Sequence, residues 1–254
     1  MHKPAVIIGV GEMGGVFARG LLRSGYPLYP VTRDMDMQAV AGALPAPEFV
    51  LVAVAEKDLH PTLDRIPAPW RDRLVLLQNE LLPRDWQDYP FTDPTVISVW
   101  FEKKRGQDAK VLLASPAWGP RAATLKQALD SLDIPCRVVD SREEMVFELL
   151  RKNVYILTTN IAGLETGGDV RALWHDHQPL ARAVADEVMD IQATLVDQPL
   201  PRERLLAGMV EAFEGDPEHN CMGRSAPARL QRALELADAA GIAAPTLRRI
   251  AAKL

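Results

Sequence analysis

The 254-residue chain is short of cysteine, of net charge and of long apolar runs, and each shortage excludes something. Its two cysteines, Cys136 and Cys221, stand far apart and match neither a disulfide framework nor a metal-ligand spacing, so both read as free thiols. Lysine and arginine total 29 against 34 acidic residues, a net charge of −5, and the arginines are scattered. That leaves no basic footprint for nucleic acid. No apolar segment approaches the roughly 20 residues that cross a bilayer. Met1-His2-Lys3-Pro4 runs directly into an apolar strand, which leaves no room for a signal peptide, and cytoplasmic residence is the expectation. His175 and His177 flank Asp176, but on a helix this spacing points the two rings apart. No partner cluster accompanies them, so no metal is expected, and Trp174-His175-Asp176-His177 reads instead as a helix junction.

What is present begins at Ala5. The apolar run AVIIGVG breaks into Gly9-Val10-Gly11-Glu12-Met13-Gly14, and Val16, Phe17, Ala18, Leu21 and Leu22 continue as an apolar helix. A lone GxGxxG is weak evidence, whereas strand, turn and helix in this order form the context a dinucleotide site needs. Gly9 permits the tight turn, Gly11 lets the backbone approach a pyrophosphate, and Gly14 lets the helix pack on the strand. The first helical turn, Glu12 and Met13 included, presents N–H groups and a partial positive charge to phosphate. Gly15 and Gly20 have no such assignment. The plain alternative is a strand-turn-helix corner that binds nothing.

A second strand, roughly Leu28 to Thr32, bears on the choice of nucleotide. An NAD site usually ends this strand in Asp or Glu, which holds the ribose hydroxyls. Here Thr32-Arg33 sets a hydroxyl and a guanidinium there, which favours the 2′-phosphate of NADP(H). Asp34 follows at once, so a one-residue shift would favour NAD instead; Arg33 can also be read as a solvated strand-end charge.

Further apolar runs read as strands at Phe49–Val54, Leu74–Asn79, Val96–Phe101, Lys110–Ala114 and Cys136–Val139. Helices are expected at Met35–Ala43, Asp58–Arg65 and Arg121–Leu132. Such an open α/β sheet binds ligands at the carboxyl ends of its strands. Those ends carry Gly9-Val10-Gly11, Thr32-Arg33, Val54-Ala55-Glu56-Lys57 and Gln78-Asn79-Glu80. From Ser141 onward no strand is apparent, and helices are expected at Arg142–Glu165, Val170–Val196, Arg202–Phe213, Pro227–Ala240 and from Pro245 to the end. Ser141 reads as an N-cap, with Glu144 completing a capping box. The expected fold is therefore α/β: a Rossmann-type doubly wound sheet over residues 1–140, then an all-helical domain over 141–254.

In the long helix, Leu150, Val154, Leu157, Ile161 and Leu164 form one apolar stripe. Lys152, Ile156 and Asn160 share another face, drifting only about 80° over two turns. Lys152 and Asn160 can thus address one site, although periodicity alone also allows Lys152 to be a solvated charge beside Arg151.

Taken in order, GVGEMG, VTR, VLLQN ending at Asn79, ELLRKNVYILTTN and AAGIAAP resemble the ketopantoate reductase family, within the larger group that shares a 6-phosphogluconate dehydrogenase-like helical C-terminal domain. The opening GEMGGVFARGLLRSGY also looks like pyrroline-5-carboxylate reductase, with nothing downstream to match. The ketopantoate reductase resemblance implies an NADPH-dependent reductase of a small 2-oxo acid, in which a helix lysine protonates the carbonyl oxygen as hydride arrives. Lys152 occupies that place. Asn79 matches a strand-end asparagine near cofactor and substrate, and Asn160 a helix asparagine that contacts substrate. The wider group also implies a homodimer.

Three positions depart from the family. Ile156 stands where an asparagine is usual, and Glu80 follows Asn79 where a glycine is usual. Ser225 or Ala226 stands where the family carries a substrate-binding glutamate. His219, Arg224 and Ser225 are the polar residues of the segment expected to face the cleft, and Arg224 and Ser225 become candidate substrate contacts, Arg224 through a bidentate fork to a carboxylate; Gly223-Arg224-Ser225 reads equally as a helix-start loop with Ser225 as N-cap. These departures keep open two alternatives: an NADP(H)-binding sensor without reductase chemistry, and a reductase of another carbonyl or of an imine.

Overall fold

A computed structural model describes residues 2–254. Its first strand, β1 (Ala5–Ile8), is buried at every position, as an interior parallel strand must be. The chain then runs through α1 (Glu12–Arg23), β2 (Leu28–Val31), α2 (Met37–Ala43), β3 (Val50–Val52), α3 (Leu59–Leu63), β4 (Leu74–Leu76), β5 (Thr95–Ile97), β6 (Phe101–Glu102), β7 (Lys110–Val111), β8 (Ser115–Trp118), α4 (Ala122–Asp130) and β9 (Cys136–Val138). Among the described residues seven strands join in one sheet, ordered β2-β1-β3-β4-β5-β8-β9. The pairs from β2 to β5 are parallel, β8 runs antiparallel to β5, and β9 is parallel to β8. Chain order reverses between β1 and β3, the place where open α/β sheets leave a crevice.

The core of this unit is apolar on both sheet faces. On one of them Ile7, Leu51, Val75 and Ile97 meet Phe17 and Leu21 of α1 and Leu125 and Leu129 of α4. The two helices touch closely at Gly20, where a β-carbon would stand 2.3 Å from the carbonyl oxygen of Ala128. This contact accounts for a glycine that the nucleotide motif leaves unexplained.

Two expected strands are redrawn. The run Val96–Phe101 breaks after Ile97, because Trp100 leaves the ladder and donates its N–H to Ser115 Oγ at 2.9 Å. Phe101–Glu102 then pairs with Lys110–Val111 in a separate antiparallel ribbon. The strand expected over Lys110–Ala114 accordingly ends early, and β8 takes its place in the sheet. Pro116 hides β8 from a sequence reading, since proline cannot donate to a ladder; its carbonyl nevertheless accepts from Ser98 N–H at 2.9 Å.

The helical part comprises α5 (Arg142–Thr166), α6 (Val170–Asp176), α7 (Gln178–Ala193), α8 (Arg202–Gly215), α9 (Ala226–Ala240) and α10 (Pro245–Ala251). Ser141 caps α5 as expected, accepting from Glu144 N–H at 3.1 Å. The Glu144 carboxylate does not close the box; it pairs with Arg137 at 3.0 Å. Glu148 also binds Arg137, at 2.5 Å, so the first turns of α5 are fastened to the strand that precedes it. The chain accordingly divides into two compact units at Glu148 and Leu149, inside α5, two turns beyond the boundary expected at Ser141.

The single helix expected over Val170–Val196 is two. His177 interrupts it with φ −128° and ψ 27°, and Pro179 sits in the first turn of α7, where its missing N–H costs nothing. Glu187 of α7 caps α10 from a distance, accepting from Thr246 and Leu247 N–H at 2.8 and 3.0 Å. Among the described residues no helix is long and apolar enough to cross a membrane.

The two glycines of α1 separate packing from propensity. In a helix interior Gly→Ala ordinarily gains about 0.5–1 kcal/mol. A β-carbon at Gly15 would meet nothing within 4 Å, so Gly15→Ala should show that gain. Gly20→Ala should instead lose about 1–3 kcal/mol through overpacking against α4. Urea titration of both variants checks this, and a Gly20→Ala chain at least as stable as the parent would contradict the close contact.

Candidate active site

The glycine motif lies at the carboxyl end of β1, beside the end of β3. Gly9 adopts φ +92°, and a β-carbon on it would stand 2.7 Å from the Ala53 carbonyl oxygen. At Gly14 the space is tighter, 2.2 Å from the Gly9 carbonyl oxygen. A β-carbon on Gly11 would meet nothing within 4 Å. Two glycines therefore serve close packing, while the third borders open space at the start of α1. That helix begins at Gly11 without a side-chain cap, which leaves its N-terminal turn suited to an anion. A pyrophosphate fits this cradle on geometric and electrostatic grounds.

Glu12 and Met13 continue the turn. Met13 packs against the core, whereas the Glu12 carboxylate points outward and pairs with Lys103 at 3.1 Å. A cavity of about 240 Å³ is bounded by Val10, Gly11, Glu12, Gly15, Arg19 and Lys103. Lys103 was not among the residues singled out from sequence; it follows the short strand β6, where no spacing relates it to the motif.

Past β2, Thr32 donates its N–H to the Met35 sulfur at 3.4 Å. The Arg33 side chain is 90% exposed and lies 3.4 Å from the Asp58 carboxylate. A surface pair of this length is worth little, so the guanidinium can turn to a 2′-phosphate at small cost. Asp34 is exposed, and Asp36 is committed to capping α2 through Gln38 N–H at 2.9 Å.

At the ends of β3 and β4 the amides are already organised. Buried Gln78 donates to the carbonyls of Val52 and Val54, at 2.7 and 3.3 Å, and ties the two strand ends together. Asn79 donates to Glu56 Oε1 at 3.0 Å. Glu80, the next residue, is held at φ +63°. The backbone thus keeps the left-handed turn that a glycine would adopt freely, although a carboxylate side chain stands there.

In the helical unit Lys152 and Asn160 share a face of α5, about 12 Å apart along its axis. Their neighbours point elsewhere. Arg151 donates to the Gly208 carbonyl at 3.0 Å, and Asn153 to Gln192 Oε1 at 3.0 Å. Lys152 retains partial exposure, with its ammonium 5.9 Å from the Tyr155 ring centre. Tyr155 packs in turn on Phe213 and His219. Burial pushes the Lys152 pKa down, and the charge of Arg229 adds to the effect, bringing it to about 7.

Arg229 is the residue that a sequence reading misses. It is 7% exposed and donates from Nη1 to Asn160 Oδ1 at 2.9 Å. Asn160 also donates to the Cys221 carbonyl at 3.3 Å. The signal was available in α9, where Ala226, Leu230, Ala233 and Ala237 form the buried stripe and Arg229 breaks it. Arg224 and Ser225 are both exposed, and Ser225 heads α9 without a side-chain bond. Asn160 and Arg229 thus meet between α5 and α9, Lys152 lies about 12 Å from Asn160 along α5, and Arg224 and Ser225 stay at the surface.

No family model matches the chain, and no curated protein matches it in sequence. Solved structures do match in fold. The 2-dehydropantoate 2-reductase of Methylococcus capsulatus superposes with a TM-score of 0.70 at 16% identity, over 98% of this chain and 94% of that one. A D-mandelate dehydrogenase in complex with NADH gives 0.69 at 13%, over 98% and 96%. A ketopantoate reductase of Staphylococcus aureus, described as dimeric, gives 0.60 at 17%, over 98% and 96%. The chain thus has the ketopantoate reductase fold along its whole length, a Rossmann-type sheet followed by helices.

The Glu80 turn is open to a direct check. A non-glycine residue in the left-handed region costs about 1–2 kcal/mol, partly offset by the added freedom of glycine in the unfolded chain. Glu80→Gly should raise stability by about 0.5–1 kcal/mol, and Glu80→Val should lower it, as read by denaturant midpoints. Equal midpoints for all three chains would rule out strain at this turn.

Proposed function

We propose that the chain is an NADPH-dependent oxidoreductase that reduces a small, ketopantoate-like 2-oxo acid, with Lys152 as general acid. The observation that carries this reading is Lys152 itself: a partly buried ammonium with a pKa near 7, on one helix face with Asn160. Hydride addition to a ketone develops negative charge on oxygen, and a donor titrating near neutral pH both stabilises that charge and neutralises it. The solved relatives in fold support the same class of chemistry.

Each residue has a task in this account. The N–H groups at Glu12, Met13 and Gly14 hold the pyrophosphate, and Gly11 leaves room for it. Thr32 and Arg33 take the ribose and its 2′-phosphate. Bound reduced nicotinamide supplies the hydride. Asn79 orients the cofactor and the carbonyl, Asn160 helps to place the substrate, and Lys152 gives its proton to the carbonyl oxygen. The substrate contacts inferred from sequence for Arg224 and Ser225 stay part of the proposal as rim groups at most, given their exposure. A cytoplasmic homodimer is the assembly this reading favours, one relative in fold being described as dimeric.

Kinetics and nucleotide binding test it. Removing the general acid by Lys152→Ala should lower kcat by about 10²–10⁴-fold. In the parent chain reduction should be fastest below pH 7 and fall as Lys152 loses its proton above it, since only the charged form donates. Turnover untouched by Lys152→Ala, or NADPH bound without oxidation across a broad panel of 2-oxo acids and imines, would overturn the reductase reading in favour of a nucleotide-binding protein. Separately, Arg33→Ala should weaken NADPH by about 10-fold or more and leave NADH unchanged, as expected for loss of a charge-assisted phosphate contact. Equal loss for both nucleotides would remove Arg33 from the 2′-phosphate site.

A further inference from the structure

Resting on the nucleotide-binding part of the reductase reading, we propose that Lys103 is a positioning residue of the dinucleotide site. Its ammonium balances the Glu12 carboxylate and holds it aside, so that the first turn of α1 can take a pyrophosphate.

Glu12 is the first residue of α1. A carboxylate there is stabilised by the positive end of the helix, and it draws on the same field that would attract the pyrophosphate. Two anionic groups at one helix end also repel each other. The glycine motif of this chain thus carries a charge that opposes its own ligand, and a cation beside Glu12 removes the opposition.

Lys103 is that cation. Its Nζ donates to Glu12 Oε2 at 3.1 Å and to the Lys104 carbonyl oxygen at 2.7 Å. Two of the three N–H groups of the ammonium are thereby fixed. Only 15% of the Lys103 side chain is exposed, against 56% for Lys104, which turns to Glu102 at 3.2 Å. Lysine is seldom so far buried unless it is paired, and a shielded pair is screened less by salt than a surface one.

The β6–β7 ribbon explains how Lys103 comes to stand there. Phe101 is buried, and its ring centre lies 6.2 Å from that of Phe17 in α1. Side chains two apart along an extended strand emerge on one face, so Lys103 follows Phe101 toward α1. Glu12 and Lys103 both border the cavity of about 240 Å³ that also touches Gly11. Arg19 lines the same cavity but stands about 10 Å further along the helix axis, which leaves the first turn to Lys103. The pyrophosphate is common to NADPH and NADH, so the role of Lys103 is blind to the 2′-phosphate, unlike that of Arg33.

Fluorescence titration of the full chain with NADPH and with NADH tests the assignment. Lys103→Met should weaken both nucleotides by the same factor, about 10-fold. Lys103→Arg, which keeps the charge, should stay within about 3-fold of the parent. In a chain that already carries Glu12→Gln, Lys103→Met should weaken binding by less than about 3-fold, because no carboxylate is left to balance. An equal loss with and without the Glu12 carboxylate would overturn the inference, as would no loss in either chain, a loss confined to NADPH, or a loss in Lys103→Arg as large as in Lys103→Met. If Lys103→Met does not fold, Lys103→Gln takes its place in the same comparison. Binding that depends on Lys103 in this way without turnover of any 2-oxo acid would sink the reductase reading and leave this inference standing; NADPH oxidation with binding indifferent to Lys103 would do the reverse.

Discussion

The sheet unit depends on one contact, the approach of the first turn of α1 to the strand that feeds it. At Gly14 there is no room for a β-carbon against the Gly9 carbonyl, and at Gly9 none against Ala53. These two limits bring β1, β3 and the start of α1 to one point, where the order of strands reverses. The open space beside Gly11 and the uncapped N-terminus of α1 follow from that convergence. Gly20 extends it to α4, so the helix that would hold a phosphate is wedged between strand and helix before any ligand arrives.

The helical unit is organised around α5 in a different manner. A long helix surrounded by others would ordinarily be apolar all round. Here it sends polar side chains in three directions. Arg151 reaches α8, Asn153 reaches α7, and Asn160 receives Arg229 from α9. Buried polar groups are tolerable when each is satisfied, and a satisfied network also fixes geometry. Lys152 is set apart because its surroundings disfavour its charge. Groups held at such a cost cluster where chemistry uses them.

Much of this was legible in the chain itself, and the reasons are physical. The glycine motif and the apolar strands on either side of the reversal follow from local periodicity, and the structure keeps both; the same periodicity sets Lys152 and Asn160 two turns apart on α5. The Ser141 cap follows from a four-residue pattern, although its reciprocal partner Glu144 is drawn away by Arg137, which no local rule foresees. Strand β8 escaped because Pro116 argues against a strand when neighbours are unknown. The break at His177 was legible in part, since Trp174–His177 reads as a helix junction, although an apolar period runs on through Pro179. Arg229 was the largest omission: one charged residue in an apolar stripe reads as noise until Asn160 is found opposite it. At Glu80 the unusual residue was visible, but its left-handed backbone was not, since φ belongs to the turn rather than to the residue type.

The most direct test of the account is a crystal structure of the chain with NADP+ and oxamate. The account requires the pyrophosphate on the N–H groups that open α1 and the 2′-phosphate at Arg33. It also requires the oxamate carbonyl oxygen at Lys152 Nζ. A dinucleotide bound away from Gly11, or an oxamate that does not touch Lys152, would contradict it.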